Sequence, residues 1–237
     1  MSVDDLRFAG NVVARALPAA AEGVYAWWCT LAWSAADVDA ARAILSPAET
    51  ARTLRFGLPE LRARYVSGRA TLRMLLGRWM DVPAEALPIA HGSRGRPHID
   101  LAGAPDFNVS HTRDAAVIAI STSARIGVDL ERRDRAVDAA RIARKFLTAR
   151  ERAGMDALEA DACREHFLRI WTCKEAMSKA TGDGLSAPLG KLSVGVGDRE
   201  LRLDDGPAPY LPQDWRLVAI DVPSSHVATA ALWRPSR

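Results

Sequence analysis

Gly127-Val128-Asp129-Leu130-Glu131, followed roughly forty residues later by Trp171-Thr172-Cys173-Lys174-Glu175-Ala176-Met177-Ser178-Lys179, carries most of the information in this chain. The first stretch places two carboxylates at i and i+2 of a short apolar run. If that run is a strand, Asp129 and Glu131 point to one face, because side chains alternate with period two. The second stretch places Glu175 and Lys179 one helical turn apart, so an acid and a base reach the same spot. Three carboxylates and a lysine suit a divalent cation held against a phosphate, since hard cations such as Mg2+ take oxygen ligands. The competing reading is plainer: Arg132 and Arg133 neutralise the first pair, and Glu175 with Lys179 is ordinary helix support.

Composition sets the frame for these motifs. A chain of 237 residues suits one large domain or two smaller ones. With 49% hydrophobic and 26% charged residues it is an ordinary globular composition, which excludes disordered, collagenous and fibrous classes. The net charge of +3 favours acidic ligands without demanding nucleic acid. Lysine occurs only at Lys145, Lys174, Lys179 and Lys191, so two of them flank Glu175. Cys29, Cys163 and Cys173 form no CxxC pair, which suggests neither a disulfide framework nor a zinc site and points to a reducing compartment. Met1 to Arg15 has Asp4 and Asp5 and no continuous apolar core, so it does not read as a secretory signal, and no apolar window reaches the length of a membrane span. The expected location is the cytoplasm.

The elements follow from periodicity and punctuation. Val24 to Trp33 reads as a buried strand, and its three tryptophans as core. Ser34 caps a helix through Leu45, Ser46-Pro47 starts another, and a long helix spans Pro59 to Met80. Pro88 to Pro105 reads as turns and short extended pieces. Ala115 to Ser121 and Ile126 to Glu131 are strands, and the short turn between them predicts a hairpin. Val137 to Leu147 is a helix, a polar stretch runs to Ala160, and a second long helix runs from Asp161 to Thr181, stopped by Gly182. Strands over Leu189 to Val196, Glu200 to Leu203, Trp215 to Val222 and His226 to Trp233 close the chain. Each half thus runs strand, helices, long helix, strands, with a boundary near Ser121 to Arg125 and no visible residue-level repeat.

Within the second long helix Lys174 falls inside the apolar arc, where its stem is expected to snorkel along apolar surface. Phe107-Asn108-Val109-Ser110-His111 sets a serine beside a histidine, which is no nucleophile and base, because such a pair needs orienting by a third group. Ser110 either caps a turn or offers its hydroxyl and N–H to a phosphate, and protonated His111 donates to the same group. Arg52, Arg55, Arg64, Arg69 and Arg96 are surface charges or phosphate partners. No glycine-rich phosphate loop accompanies them.

With these residues in hand, the chain resembles a 4′-phosphopantetheinyl transferase of the surfactin-synthetase-activating type. The paired signatures G-[VI]-D-x-E and W-x-x-K-E-[AS]-x-x-K are matched by Gly127 to Glu131 and Trp171 to Lys179. Ser46-Pro47, Arg64 with Gly68, Arg96-Pro97, Asn108 to His111 and Gly182-Asp183-Gly184-Leu185 extend the resemblance from about residue 24 to the end.

The resemblance implies an α/β (α+β) fold of two similar subdomains, 1–122 and 123–237, related by pseudo-two-fold symmetry with the active site in the cleft between them. It implies transfer of the 4′-phosphopantetheine of coenzyme A to a serine of an apo acyl, polyketide or peptidyl carrier protein, releasing 3′,5′-ADP. Asp129, Glu131 and Glu175 would carry Mg2+; Glu175, Lys179 and Asp129 would be catalytic. Arg52, Arg64, Arg69, Arg96, Pro97, Ser110, His111 and Lys179 would hold coenzyme A. Glu49 stands where a cation might be expected, so in that helix only Arg52 is carried over. The enzyme is expected to be a cytoplasmic monomer with no nucleic-acid or membrane partner. The alternatives are a non-catalytic module that binds coenzyme A or a carrier protein, a metal-dependent phosphohydrolase, and, last, a basic RNA-binding protein.

Overall fold

The computed structural model describes residues 4–135, 139–156, 158–197 and 200–236. Two opening strands that the sequence reading did not anticipate, β1 (Leu6–Phe8) and β2 (Asn11–Ala16), lead into β3 (Val24–Thr30). Then come α1 (Ala35–Ala41), α2 (Pro47–Thr53) and α3 (Pro59–Met80), the last with the expected bounds. The Gly- and Pro-rich stretch folds as a small hairpin of β4 (Ile89–His91) and β5 (Pro97–Ile99), and β6 (Asp106–Thr112) and β7 (Ala115–Ser121) complete the first half.

The second half repeats this succession. After β8 (Arg125–Arg132) come α4 (Ala139–Phe146), α5 (Ala149–Asp156) and the 22-residue α6 (Ala160–Thr181). A hairpin of β9 (Ser193–Val196) and β10 (Leu201–Asp205) precedes β11 (Trp215–Ala219) and β12 (His226–Trp233). The first two residues of the helix expected over Val137 to Leu147 lie outside the described residues. In the polar stretch before Ala160, the sequence reading missed α5. Gly182, at φ 81°, closes α6 in the left-handed conformation that glycine adopts without strain.

Strand pairing overturns the expected hairpin of β7 with β8. The first sheet has the order β1-β2-β3-β7-β6 and the second the order β11-β12-β8. β7 lies between β3 and β6, while β8 pairs antiparallel with β12, some hundred residues away in sequence, with Asp129 opposite Thr229. The order β3-β7-β6 in one sheet thus matches β8-β12-β11 in the other, strand for strand.

Alternation assigns each face. Ile118 and Ile120 of β7 join Leu72, Leu75 and Leu76 of α3 in the core of the first half. Val117 and Ala119, on the opposite face, join Val24 and Ala26 against Ile126, Val128 and Leu130 of β8 and Ala228 and Ala230 of β12. β7 is therefore buried at every position, and apolar from Ala115 to Ile120, because both of its faces are covered. The second half has its own core around Phe167, Ile170, Cys173 and Met177 of α6.

The outer edge of β8 is satisfied by side chains rather than by another strand. Asp106, Asn108 and Ser110, alternate residues of β6, accept hydrogen bonds from the N–H groups of Ile126 (2.6 Å), Val128 (3.0 Å) and Leu130 (3.1 Å). Arg96 locks the start of this ladder: it bonds both oxygens of Asp106, at 2.9 and 2.6 Å, and the carbonyls of Ile126 and Lys179.

A residue-level repeat is present after all, in buried ion pairs. Ser46 and Glu49 form a capping box at the start of α2, and the Glu49 carboxylate accepts from Arg73 Nε at 2.6 Å. Thr148 and Glu151 form the same reciprocal pair at α5, and Glu151 accepts from Lys174 Nζ at 2.6 Å. Arg73 and Lys174 occupy the same position along their 22-residue helices, α3 and α6. Each also donates to two backbone carbonyls: Arg73 to Ala84 and Leu87, Lys174 to Phe146 and Leu189. Lys174 does not snorkel; its side chain is wholly buried and its ammonium ends in this cage. Burial pulls its pKa below the ordinary lysine value, against the attraction of Glu151. Glu49, likewise, is no missing cation. Burial alone would raise its pKa, but the Ser46 N–H, Arg69 and Arg73 bring it below the usual carboxylate value.

Two substitutions test this framework. Asn108→Ala strands the buried Val128 N–H and is expected to cost about 1–3 kcal/mol, read as a lower urea midpoint at unchanged slope; a loss within error would remove the ladder from the stabilising features. Lys174→Met leaves Glu151 and two carbonyls without their cation and is expected to cost about 3–5 kcal/mol in the same measurement.

Candidate active site

Four elements meet at one cleft of about 850 Å³, lined by Ser110, His111, Arg113, Asp129, Glu131, Arg132, Arg135 and Lys179 among others. β8 supplies the carboxylates. Its residues 126, 128 and 130 enter the core between the sheets, which turns Gly127, Asp129 and Glu131 toward α6. α6 supplies Lys179; Glu175, one turn earlier and half-buried, is not among the residues that line the cleft. β6 supplies Ser110 and His111, and the turn after β6 supplies Arg113.

Gly127 explains how helix and strand come close enough. A Cβ at that position would lie 1.9 Å from the Ala176 carbonyl oxygen and 2.5 Å from the Ala180 nitrogen. No residue but glycine fits.

Asp129 is the centre of the network. Its Oδ1 accepts from Lys179 Nζ at 2.6 Å and from the Ser110 hydroxyl at 3.0 Å. Ser110 Oγ in turn accepts from Lys179 Nζ at 2.8 Å and from the Leu130 N–H. The hydroxyl expected to reach a phosphate is therefore committed to orienting Asp129. Asp129 Oδ2 is buried and has no hydrogen-bond partner. A buried carboxylate oxygen without a donor costs free energy unless a cation meets it, so this atom fits an oxygen-seeking metal ion.

The charges of these acids act on one another. Burial first, and the Asp129 charge second, push the Glu131 pKa up to about 7, against Arg135, a hydrogen bond from Trp171, and Lys179. The same two causes raise the pKa of Glu175, opposed by Lys179 and Arg135. Desolvation and Lys179 lower the pKa of His111. The carboxylates are nevertheless turned onto organic partners: Asp129 onto Lys179, Glu131 onto Arg135 and Trp171. Among the described residues no three His, Cys, Asp or Glu side chains are already gathered as a cage.

The other expected residues divide. Arg64 pairs with Asp114 at 3.0 Å, next in sequence to cleft-lining Arg113, and does not itself line the cleft. Arg52 lies over the Tyr65 ring, and Arg69 bonds Glu49 at 2.9 Å, so neither lines the cleft. Arg96 is engaged elsewhere: its guanidinium donates to Asp106 and to backbone carbonyls, and Pro97 opens β5 beside it. Sequence reasoning missed Arg113 and Arg135. Arg135 carries a signal in hindsight, four residues after Glu131, whereas the reading had named Arg132 and Arg133 as competing partners; Arg132 instead pairs with Asp134 and Arg133 with Glu165.

Among the described residues no helix is long and apolar enough to cross a membrane, and all three cysteines are free. Residues 125–230 match the 4′-phosphopantetheinyl transferase superfamily. The 4′-phosphopantetheinyl transferase HetI of Nostoc sp. is 32% identical over 220 residues, 90% of either chain. The 4′-phosphopantetheinyl transferase Sfp of Bacillus subtilis is 27% identical over 182 residues, 77% of this chain and 73% of its own, and AcpT of Escherichia coli is 34% identical over 125 residues, 51% and 58%. With likeness along nearly the whole chain, and with both signature stretches meeting in one cleft, the chain belongs to the 4′-phosphopantetheinyl transferase superfamily.

Proposed function

We propose that the chain transfers the 4′-phosphopantetheine group of coenzyme A to a serine of an apo carrier protein, with Mg2+ held by Asp129, Glu131 and Glu175. The reading is carried by the buried, partnerless Asp129 Oδ2; Glu131 and Glu175 feel its charge, which adds to burial in raising their pKa values. Like charges so placed call for a cation. When bound, the ion neutralises the diphosphate and stabilises charge on the transferring group.

The side chains divide the remaining work. The serine hydroxyl attacks the β-phosphorus, a new P–O bond forms, and the bond to the bridging oxygen breaks, so that 3′,5′-ADP leaves with that oxygen. Glu175, half-buried and of raised pKa, takes the serine proton directly or through water. Lys179, already within hydrogen-bond reach of the Asp129 and Ser110 oxygens, turns to a diphosphate oxygen. His111, Arg113 and Arg64 hold the 3′-phosphate end at the rim, with Arg52 and Arg69 beyond it. Ser110 keeps Asp129 in place. The site lies between the halves 1–122 and 123–237 of a monomer, and free thiols suit the cytoplasm.

Intact-mass measurement tests this. Apo acyl, polyketide and peptidyl carriers incubated with coenzyme A and Mg2+ are expected to gain one phosphopantetheine on serine, and EDTA to prevent it. Asp129→Ala and Glu175→Ala are expected to lower the rate at least about a hundredfold with the fold retained. Full transfer in EDTA and by both variants overturns the metal assignment. Coenzyme A left intact by every carrier favours a binding module instead.

A further inference from the structure

Thr229 of β12 lies directly opposite Asp129 of β8 in the ladder, so the two side chains stand on one face of the sheet, beneath α6. Thr229 is buried, and its hydroxyl meets that of Thr172 on α6, also buried, at 2.9 Å. Thr172 donates its one hydroxyl proton to the Arg169 carbonyl at 3.2 Å, so between the two threonines Thr229 is the donor.

These hydroxyls give α6 a second fixed point on the sheet. The first is Gly127, under Ala176 and Ala180. From Ala176 back to Thr172 the helix covers about 6 Å, and from Gly127 on to Asp129 the strand covers about 7 Å. α6 therefore runs along β8 in the opposite sense, and one residue further back Trp171 hydrogen-bonds Glu131. Glu175, on which the Asp129 charge acts, lies between the two fixed points, next to Ala176 and one helical turn after Thr172.

The repeat supplies an internal control. Thr71 and Thr172 occupy the same position along α3 and α6, two residues before the caged cations Arg73 and Lys174. Thr71, however, turns its hydroxyl back to the Ser67 carbonyl of its own helix at 2.8 Å, and β7 offers α3 the isoleucines Ile118 and Ile120. Of the two halves, the hydroxyl that reaches from helix to strand is in the one that carries the carboxylates.

We propose that the Thr172–Thr229 pair positions Glu175 relative to Asp129, by fixing the height and rotation of α6 where the two acids act together; this rests on the transfer reaction proposed above. The pair touches no reacting atom itself. Valines would fill the same space, and replacing both partners of a buried hydrogen bond by apolar groups of like shape is nearly neutral for stability. What the hydroxyls add is direction, because a hydrogen bond weakens steeply away from its preferred geometry whereas apolar burial is non-directional.

The test compares Thr172→Val/Thr229→Val with Thr229→Ser, which keeps a hydroxyl, in steady-state transfer at saturating Mg2+ and in Mn2+ titrations followed by electron paramagnetic resonance. The double variant is expected to lower kcat about tenfold and to weaken Mn2+ binding about tenfold, with KM for coenzyme A and for the carrier unchanged. Thr229→Ser is expected to match the parent in every measurement. Parent values of kcat and Mn2+ affinity in the double variant overturn the proposal. An equal loss in Thr229→Ser also overturns it, since the methyl group and not the hydroxyl is then what matters. If the parent itself transfers to no carrier, the reaction falls, and the Mn2+ titration alone decides for or against the pair.

Discussion

Backbone meets backbone where α6 crosses β8. With no side chain at Gly127, the helix lies on the strand at Ala176 and Ala180, and the turns on either side of that contact carry Glu175 and Lys179. The two signature stretches are thus two sides of one packing contact. Glycine in a strand interior ordinarily weakens it, through entropy and the absence of a side chain to pack. Here the loss permits an ammonium at 2.6 Å from a carboxylate fifty residues away in sequence. Any larger residue at 127 would push α6 outward, and the acid and base with it.

From the other side, β6 holds β8 by its side chains. Three hydrogen bonds from alternate N–H groups to Asp106, Asn108 and Ser110 replace a missing strand, and the last of these acceptors also touches Asp129. The ladder that joins the two sheets therefore ends inside the cleft. Such a buried polar row is stable only if every member is satisfied, since an unpaired buried group loses its hydration without return. One atom escapes that accounting, Asp129 Oδ2. The stabilising network thus stops one oxygen short, inside the cleft, beside Lys179 and Ser110.

What could be read from the residues was local and periodic. The bounds of α3 and nearly those of α6 followed from apolar spacing and from the proline and glycine at their ends, and the shared face of Asp129 and Glu131 followed from a period of two; that Lys179 meets Asp129 is a contact across fifty residues that no local period gives. What failed was non-local. A three-residue turn between β7 and β8 looks like a hairpin, and nothing nearby says that the partner of β8 lies at His226–Trp233. Arg96 before Pro97 looks the same whether it faces a phosphate or Asp106. Glu49 looked like a missing cation because Arg73, its partner, is 24 residues off on another helix. Buried pairs of this kind leave only a charged residue at an apolar position, which is also what a snorkelling lysine leaves.

The same pairs separate scaffold from chemistry. Both halves clamp a long helix to the cap of a short one with a buried cation, Arg73 on Glu49 and Lys174 on Glu151, so the clamp itself confers no activity. The difference lies on the strands beneath the helices. The residues of β3 that face α3 include Trp27 and Cys29, which fill the space with apolar bulk. The residues of β8 that face α6 are Gly127, Asp129 and Glu131. Replacing bulk by a glycine and two acids brings one helix down onto its strand and leaves charge where the other half has core, which accounts for the polar cleft beside α6.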